Sequence, residues 1–269
     1  MHVLRLFFHY YIQGSFHLAL MVLCCYQITH YQWGIAVSLP HLVFVFCLAF
    51  LAYNAIKQLT FLVNIKGQQI GYFGFILTLF VTMGYSIFFF VGQSFVQQLL
   101  LTVCFLFCIA YVIPLPFAKR NLRNQTGIKI FIVALCWTLI TAVYPLVELP
   151  VWTPVHFLFF LERFIWIFLA TLPFEIGDLE KDDHHLGTVP QLLGVRKTRV
   201  LGFLLMALMW GILLISPKGT ATELVAFLGM SIAYGFAFFK THPNSSKLIT
   251  LFWVEAIPFL GVLLFQIKI

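Results

Sequence analysis

The chain is 269 residues long, 62% hydrophobic and 18% aromatic, with only 9% charged residues and a net charge of +7. Soluble domains carry roughly 25% charged residues, so this composition excludes a soluble globular protein and points to an all-α integral membrane protein with a single multi-pass domain over residues 1–269. The positive balance reads as topological bias and affinity for the lipid bilayer, with no nucleic acid implied.

A hydrocarbon core about 30 Å thick takes about 20 apolar residues of helix per crossing. Runs of that length predict nine transmembrane helices, in order Phe8–Gln27, Val37–Ile56, Gly71–Val91, Phe95–Val112, Ile128–Pro145, Pro154–Leu172, Val200–Ser216, Glu223–Phe239 and Lys247–Ile267. The runs are continuous, which selects helices over the ~10-residue alternation of a membrane barrel. The first is interrupted by Gln13 and Gly14. Met1 to Arg5 resembles the start of a secretion signal but is followed by no small-residue cleavage site, so the expectation is a retained first span.

Nine spans put the N-terminus and the loops after even-numbered spans on one side. That side holds Arg5, Lys57, Lys66, Lys119, Arg120, Arg123, Lys129, Lys181, Arg196, Lys197, Arg199, Lys240 and Lys247, 13 of the 16 basic residues. Lys218 and Lys268 fall opposite, and Arg163 falls inside the sixth span. Short cytoplasmic loops collect Lys and Arg, so the N-terminus is expected in the cytoplasm, and the location to be the plasma (inner) membrane of a bacterium. The six cysteines all sit in apolar runs without a C-x-x-C pair, which reads as helix packing and not as disulfides or a zinc site.

Five of the nine carboxylates fall between Glu175 and Asp183. If the sixth helix continues past Pro173, Glu175, Asp178 and Asp182 share one face. Hard oxygen ligands suit Mg²⁺, which keeps its waters and binds through one or two carboxylates plus substrate phosphates. The alternative is a solvated acidic loop flanked by Arg196 and Lys197. Lys119, Arg120, Arg123 and Lys129 form a basic stretch that either contacts diphosphate oxygens or only marks the cytoplasmic side. Glu162 and Arg163 in the sixth span, and Glu255 in the ninth, are expected to face the protein interior with partners. His184 and His185 beside the acidic cluster read as loop residues.

Pro173-Phe-Glu-Ile-Gly-Asp-Leu-Glu-Lys-Asp182, followed by Gly187-Thr-Val-Pro-Gln-Leu-Leu-Gly194, resembles the second aspartate motif of the UbiA-type prenyltransferase superfamily. Glu175, Asp178 and Asp182 match its acidic positions, Thr188, Pro190 and Gly194 match the following segment, and Gly177 stands where an Arg is common. Leu122 to Pro145, with Lys129 and Thr141, is similar to the family's fifth span. The resemblance implies a helical bundle around a central cavity, with Mg²⁺ holding a prenyl diphosphate and the prenyl group passing to a lipophilic, often aromatic, acceptor. It further implies Glu175, Asp178 and Asp182 as metal ligands and Asn54, Lys57, Arg120, Arg123 and Lys129 as substrate-binding residues.

The family's first motif should follow the second span. Its best match, Leu51 to Leu62, keeps Asn54 but carries Ala55, Gln58 and Leu62 at the acidic positions, and no carboxylate precedes Glu148. Lys57 or Lys66 could replace the second ion as a fixed positive charge. Two readings stand: a divergent prenyltransferase, and a catalytically degenerate protein of the same fold that binds an isoprenoid or has a structural role.

Overall fold

The structure, a computed structural model, describes residues 11–12, 14–61, 72–114, 121–216 and 220–267. Every regular element among them is helical. In chain order these are α1 (Phe16–Trp33), α2 (Leu39–Phe61), α3 (Tyr72–Val91), α4 (Phe95–Val112), α5 (Lys129–Leu146), α6 (Pro154–Asp178), the short α7 (Val189–Leu193), α8 (Val195–Ile215), α9 (Ala221–Lys240) and α10 (Ile249–Phe265).

Local chemistry sets many of the ends. At Gly34 (φ 62°) the backbone N–H turns back onto the carbonyls of His30 and Tyr31 and stops α1, a left-handed stop that glycine adopts without penalty. Ser94 and Gln97 close a reciprocal capping box at the start of α4, and Thr153 with His156 does the same for α6, where Pro154 supplies a preset φ. Thr220 Oγ1 accepts the Glu223 N–H at the start of α9.

Six helices, α2, α4, α5, α6, α8 and α9, are long and apolar enough to cross a bilayer; Ile76–Val91 of α3 and Ile249–Phe265 of α10 are shorter apolar segments. α1 reaches 18 residues but carries His17, Gln27, Thr29, His30 and Gln32. Three of these, His17, Thr29 and His30, are buried, so its polarity faces protein.

The first expected span is displaced. In place of Phe8–Gln27 the helix runs Phe16–Trp33, because the chain turns at Gly14 and Ser15, with Ser15 left-handed at φ 65°. Residues 1–10 lie outside the described residues. The sixth helix runs through Pro173 to Asp178 instead of ending at Leu172. Pro173 lacks an N–H and forfeits one bond of the ladder, but its neighbours Leu172 and Ile176 are wholly buried, so packing outweighs that loss. The seventh starts five residues early, at Val195.

The helices pack in a closed circuit. α1 lies on α2, α2 on α3 and α4, α4 on α5, α5 on α6, α6 on α8, α8 on α9, α9 on α10, and α10 back on α1. Among the described residues two large apolar cores result, with a smaller cluster around Ala142, Leu146 and Phe159. One joins α1, α5, α6, α8, α9 and α10 around Trp166, Leu169, Phe227, Met230 and Phe238. The other joins α1, α2, α4 and α5 around Tyr26, Phe44, Phe50 and Tyr144, and Trp137 packs against both. α1 is thus buried on two faces, Cys24 and Ile28 in one core, Val22 and Tyr26 in the other.

Two helices contain π-helical turns, Leu139–Val143 in α5 and Ile249–Val254 in α10. Each offers a carbonyl to a side chain of α1: Thr29 Oγ1 donates to Thr141 O at 2.6 Å, and His17 Nε2 lies 3.0 Å from Phe252 O. A carbonyl only accepts, so the His17 proton is on Nε2, and Nδ1 accepts from the Tyr11 hydroxyl at 2.9 Å.

Close helix approach needs glycine at one point above all. A Cβ on Gly202 of α8 would sit 2.4 Å from the ring of Phe238, itself wholly buried on α9. Gly202→Ala is expected to destabilise the bundle by about 1–3 kcal/mol through overpacking, and Gly211→Ala, where a Cβ meets nothing within 4 Å, to leave it unchanged. Thermal unfolding of both variants in detergent checks the difference.

Candidate functional site

The C-terminal end of α2, the C-terminal ends of α4 and α6 and the N-terminal end of α5 meet at one end of the bundle. There a cavity of about 350 Å³ is lined by Ile56, Val112, Asn121, Arg123, Lys181 and Asp182, among others.

Two loops are tied together to form its rim. Asn121 Nδ2 donates to Val112 O at 2.9 Å, closing the end of α4, and Asn121 Oδ1 accepts the Asn124 N–H at 3.0 Å. The Gly127 N–H donates to Leu186 O at 2.9 Å and Thr126 Oγ1 to His185 O at 3.1 Å. At the joint Gly187 has φ 53°, and a Cβ there would lie 2.2 Å from Thr126 Cγ2. Only glycine meets both the backbone angle and the approach.

The three carboxylates meet different fates. Glu175 is buried, and its Oε2 accepts the backbone N–H of Val189 at 3.1 Å at the start of α7. Asp182 pairs with Lys129 at 3.1 Å, both side chains being largely covered. Lys129 opens α5, where the helix dipole disfavours a cation, and Asp182 offsets that cost. Asp178 is half-exposed with Lys181 at 3.8 Å, a surface pair worth ~0–1 kcal/mol. The charges of Lys129, Asp182 and Asp178 all act on Glu175. The acidic face expected from the spacing is therefore present as one electrostatic cluster, but hydrogen bonds and cations divide it. Among the described residues no three His, Cys, Asp or Glu side chains form a metal-ligand set. Asp178 and Asp182, four residues apart, each stand beside a lysine.

The basic and amide residues expected to bind substrate are also separated. Arg123 lines the cavity. Lys129 faces Asp182. Asn54 is 2% exposed, and its amide is engaged in packing: Nδ2 donates to Gly14 O and Phe50 O at 3.1 and 2.8 Å, and Oδ1 accepts from Ser15 Oγ at 3.3 Å. Lys57 Nζ donates to Ser15 Oγ at 3.2 Å and lies 4.8 Å over the Tyr53 ring. Asn54 and Lys57 thus hold the left-handed turn before α1 against α2. Arg120, with Lys66 and Lys119, lies outside the described residues.

Sequence reasoning passed over Tyr53, Tyr111 and Lys181. Tyr111 stands in the field of Arg123, Glu175 and Asp182, and Tyr53 in that of Glu255, Asp178 and Arg123. Glu255 also acts on Lys57 and Tyr11, so it belongs to this end of the bundle. Tyrosines one residue before Asn54 and in the last turn of the fourth span were the available signal, since Tyr pairs an apolar ring with a polar tip.

No family model, curated protein or solved structure matches the chain.

Asn54→Ala removes an amide with two buried backbone partners and is expected to cost about 1–3 kcal/mol, with a lower melting temperature. Gly187→Ala is expected to cost at least about 1–2 kcal/mol for the left-handed angle and to open the joint between the two loops. Hydrogen exchange at Gly127 and Leu186 reads that opening.

Proposed function

We propose that the chain is a divergent UbiA-like membrane prenyltransferase. In this reading it has nine transmembrane helices, sits in a bacterial inner membrane with its N-terminus in the cytoplasm, and takes a prenyl diphosphate and a lipophilic acceptor. The observation that carries the proposal is the polar cavity at the ends of α2, α4, α5 and α6, with Arg123 and Asp182 on its wall and Glu175, Lys129 and Tyr111 in the same electrostatic cluster. Six helices long and apolar enough to cross a bilayer and two shorter apolar segments overlap the expected spans, and this supports the same reading.

In the reaction the allylic C–O bond breaks, the diphosphate leaves with the electron pair, and the acceptor forms the new bond and releases a proton. Arg123 and Lys129 supply fixed positive charge toward the departing diphosphate. Asp178 and Asp182 would hold Mg²⁺, which when bound supplies further charge stabilisation on the diphosphate oxygens. Tyr53 and Tyr111, in the field of Arg123 and the nearby carboxylates, would serve as hydroxyl donors. Glu255, which acts on Lys57 and Tyr53, would take the acceptor's proton. The apolar side chains of α2 and α4 exclude water from the allylic cation.

A second reading is favoured by two observations: the amide of Asn54 is used in packing, and the segment that would hold a second ion has no carboxylate. Here the chain binds an isoprenoid diphosphate at the same end without transferring it.

Membranes containing the protein, supplied with labelled prenyl diphosphates of several chain lengths with and without Mg²⁺, separate the readings. The transferase reading expects Mg²⁺-dependent binding and transfer to a lipid-extract acceptor, reduced about 10²–10³-fold by Arg123→Ala or Asp178→Ala. Binding without turnover selects the second reading. Absence of binding at every chain length overturns both.

A further inference from the structure

The six cysteines are all free thiols, and the chemistry at the cavity uses none of them. Cys24, Cys47 and Cys104 are buried, whereas Cys25, Cys108 and Cys136 are partly exposed. Two of the partly exposed three meet. Cys108 on α4 and Cys136 on α5 share a thiol–thiol hydrogen bond where these two helices pack. Cys104, one turn earlier on α4, also acts on Cys136, but from a buried position.

A disulfide needs Cα atoms roughly 4.4–6.8 Å apart. Packed helices have axes ~8–10 Å apart, and each Cα stands ~2.3 Å from its own axis, so a pair that faces across the contact falls in or near that range. Thiols in hydrogen-bond contact across α4 and α5 are such a pair. Cys24 and Cys25, by contrast, are successive residues of α1, where side chains diverge by about 100°.

The pair also lies just beneath the cavity. Cys108 precedes Val112 by one turn of α4, about 6 Å of rise, and Val112 is on the cavity wall. Tyr111 stands in the field of Cys108. Cys136 is on α5, whose first residue, Lys129, holds Asp182 of the same wall.

We propose that Cys108 and Cys136 are a redox modification site, a dithiol that hydrogen peroxide converts to a disulfide, and that this link stiffens the α4 wall of the cavity. Peroxide is small and neutral enough to reach half-covered thiols at the edge of a bilayer. One sulfur, as its thiolate, attacks a peroxide oxygen; the O–O bond breaks, and a sulfenic acid and water result. The second sulfur then attacks the sulfenic sulfur, the S–O bond breaks, and the departing hydroxide leaves as water with the second thiol's proton. In sum, two thiols and one peroxide give one disulfide and two waters. Each sulfur gives up one electron and the peroxide takes both. A dithiol reverses the step by exchange. The chemistry holds whether or not the cavity takes a prenyl diphosphate.

Mass spectrometry of the full chain tests this. Membranes containing the protein are treated with hydrogen peroxide, denatured in iodoacetamide and digested. Wild type is expected to yield a peptide pair joined through Cys108 and Cys136, two hydrogens lighter than its reduced members, absent before treatment and lost again after dithiothreitol. Cys136→Ser is expected to abolish that pair and to stop Cys108 at the sulfenic or sulfinic acid. Hydrogen exchange at the Tyr111 and Val112 amides is expected to slow in the oxidised wild type and to stay unchanged in peroxide-treated Cys136→Ser. Full alkylation of both thiols in treated wild type overturns the proposal, as does a link from Cys136 to Cys104. Exchange that does not slow on oxidation overturns the stiffening of the wall.

Discussion

A helix in hydrocarbon satisfies its own backbone, but each polar side chain and each carbonyl freed by an irregular turn must find a partner inside the protein. α1 answers most of that demand. His17 and Thr29 bond carbonyls in the π-helical turns of α10 and α5, and Gln32 links Arg163 to Glu223. The apolar residues of the same helix fill two cores at once. This is why the least hydrophobic of the long helices sits among most of the others, and why α3 and α4, with Phe80, Phe88 and Phe105 exposed, form a margin suited to lipid.

The all-helical fold and six helices long enough to cross a bilayer were legible in the sequence, because a 20-residue apolar run has few other outcomes. Ends were less so. The shift of α1 depends on Ser15 adopting a left-handed angle, which glycine signals and serine does not. The continuation of α6 beyond Pro173 depends on how much its last turns bury, a tertiary fact. The π-helical turns left no trace in hydropathy, since an extra residue per turn alters no composition.

The site was legible as a set of residue types and not as a set of partners. Spacing put Glu175, Asp178 and Asp182 on one face, and they do share one field. Spacing could not show that Val189 occupies one oxygen of Glu175 or that Lys129 covers Asp182. For Asn54 the motif position suggested a ligand contact, whereas the fold sets its amide against Gly14 and Phe50. The two uses differ by which neighbour arrives, and that neighbour is the turn before α1, which the sequence marks only as an interruption at Gln13 and Gly14.

The bond between His17 and Phe252 joins residues 235 positions apart. It pins α10 against α1 and so closes the circuit of helices into a ring. In a ring each member is held from two sides, so a helix that loses contact with one neighbour is still located by the other.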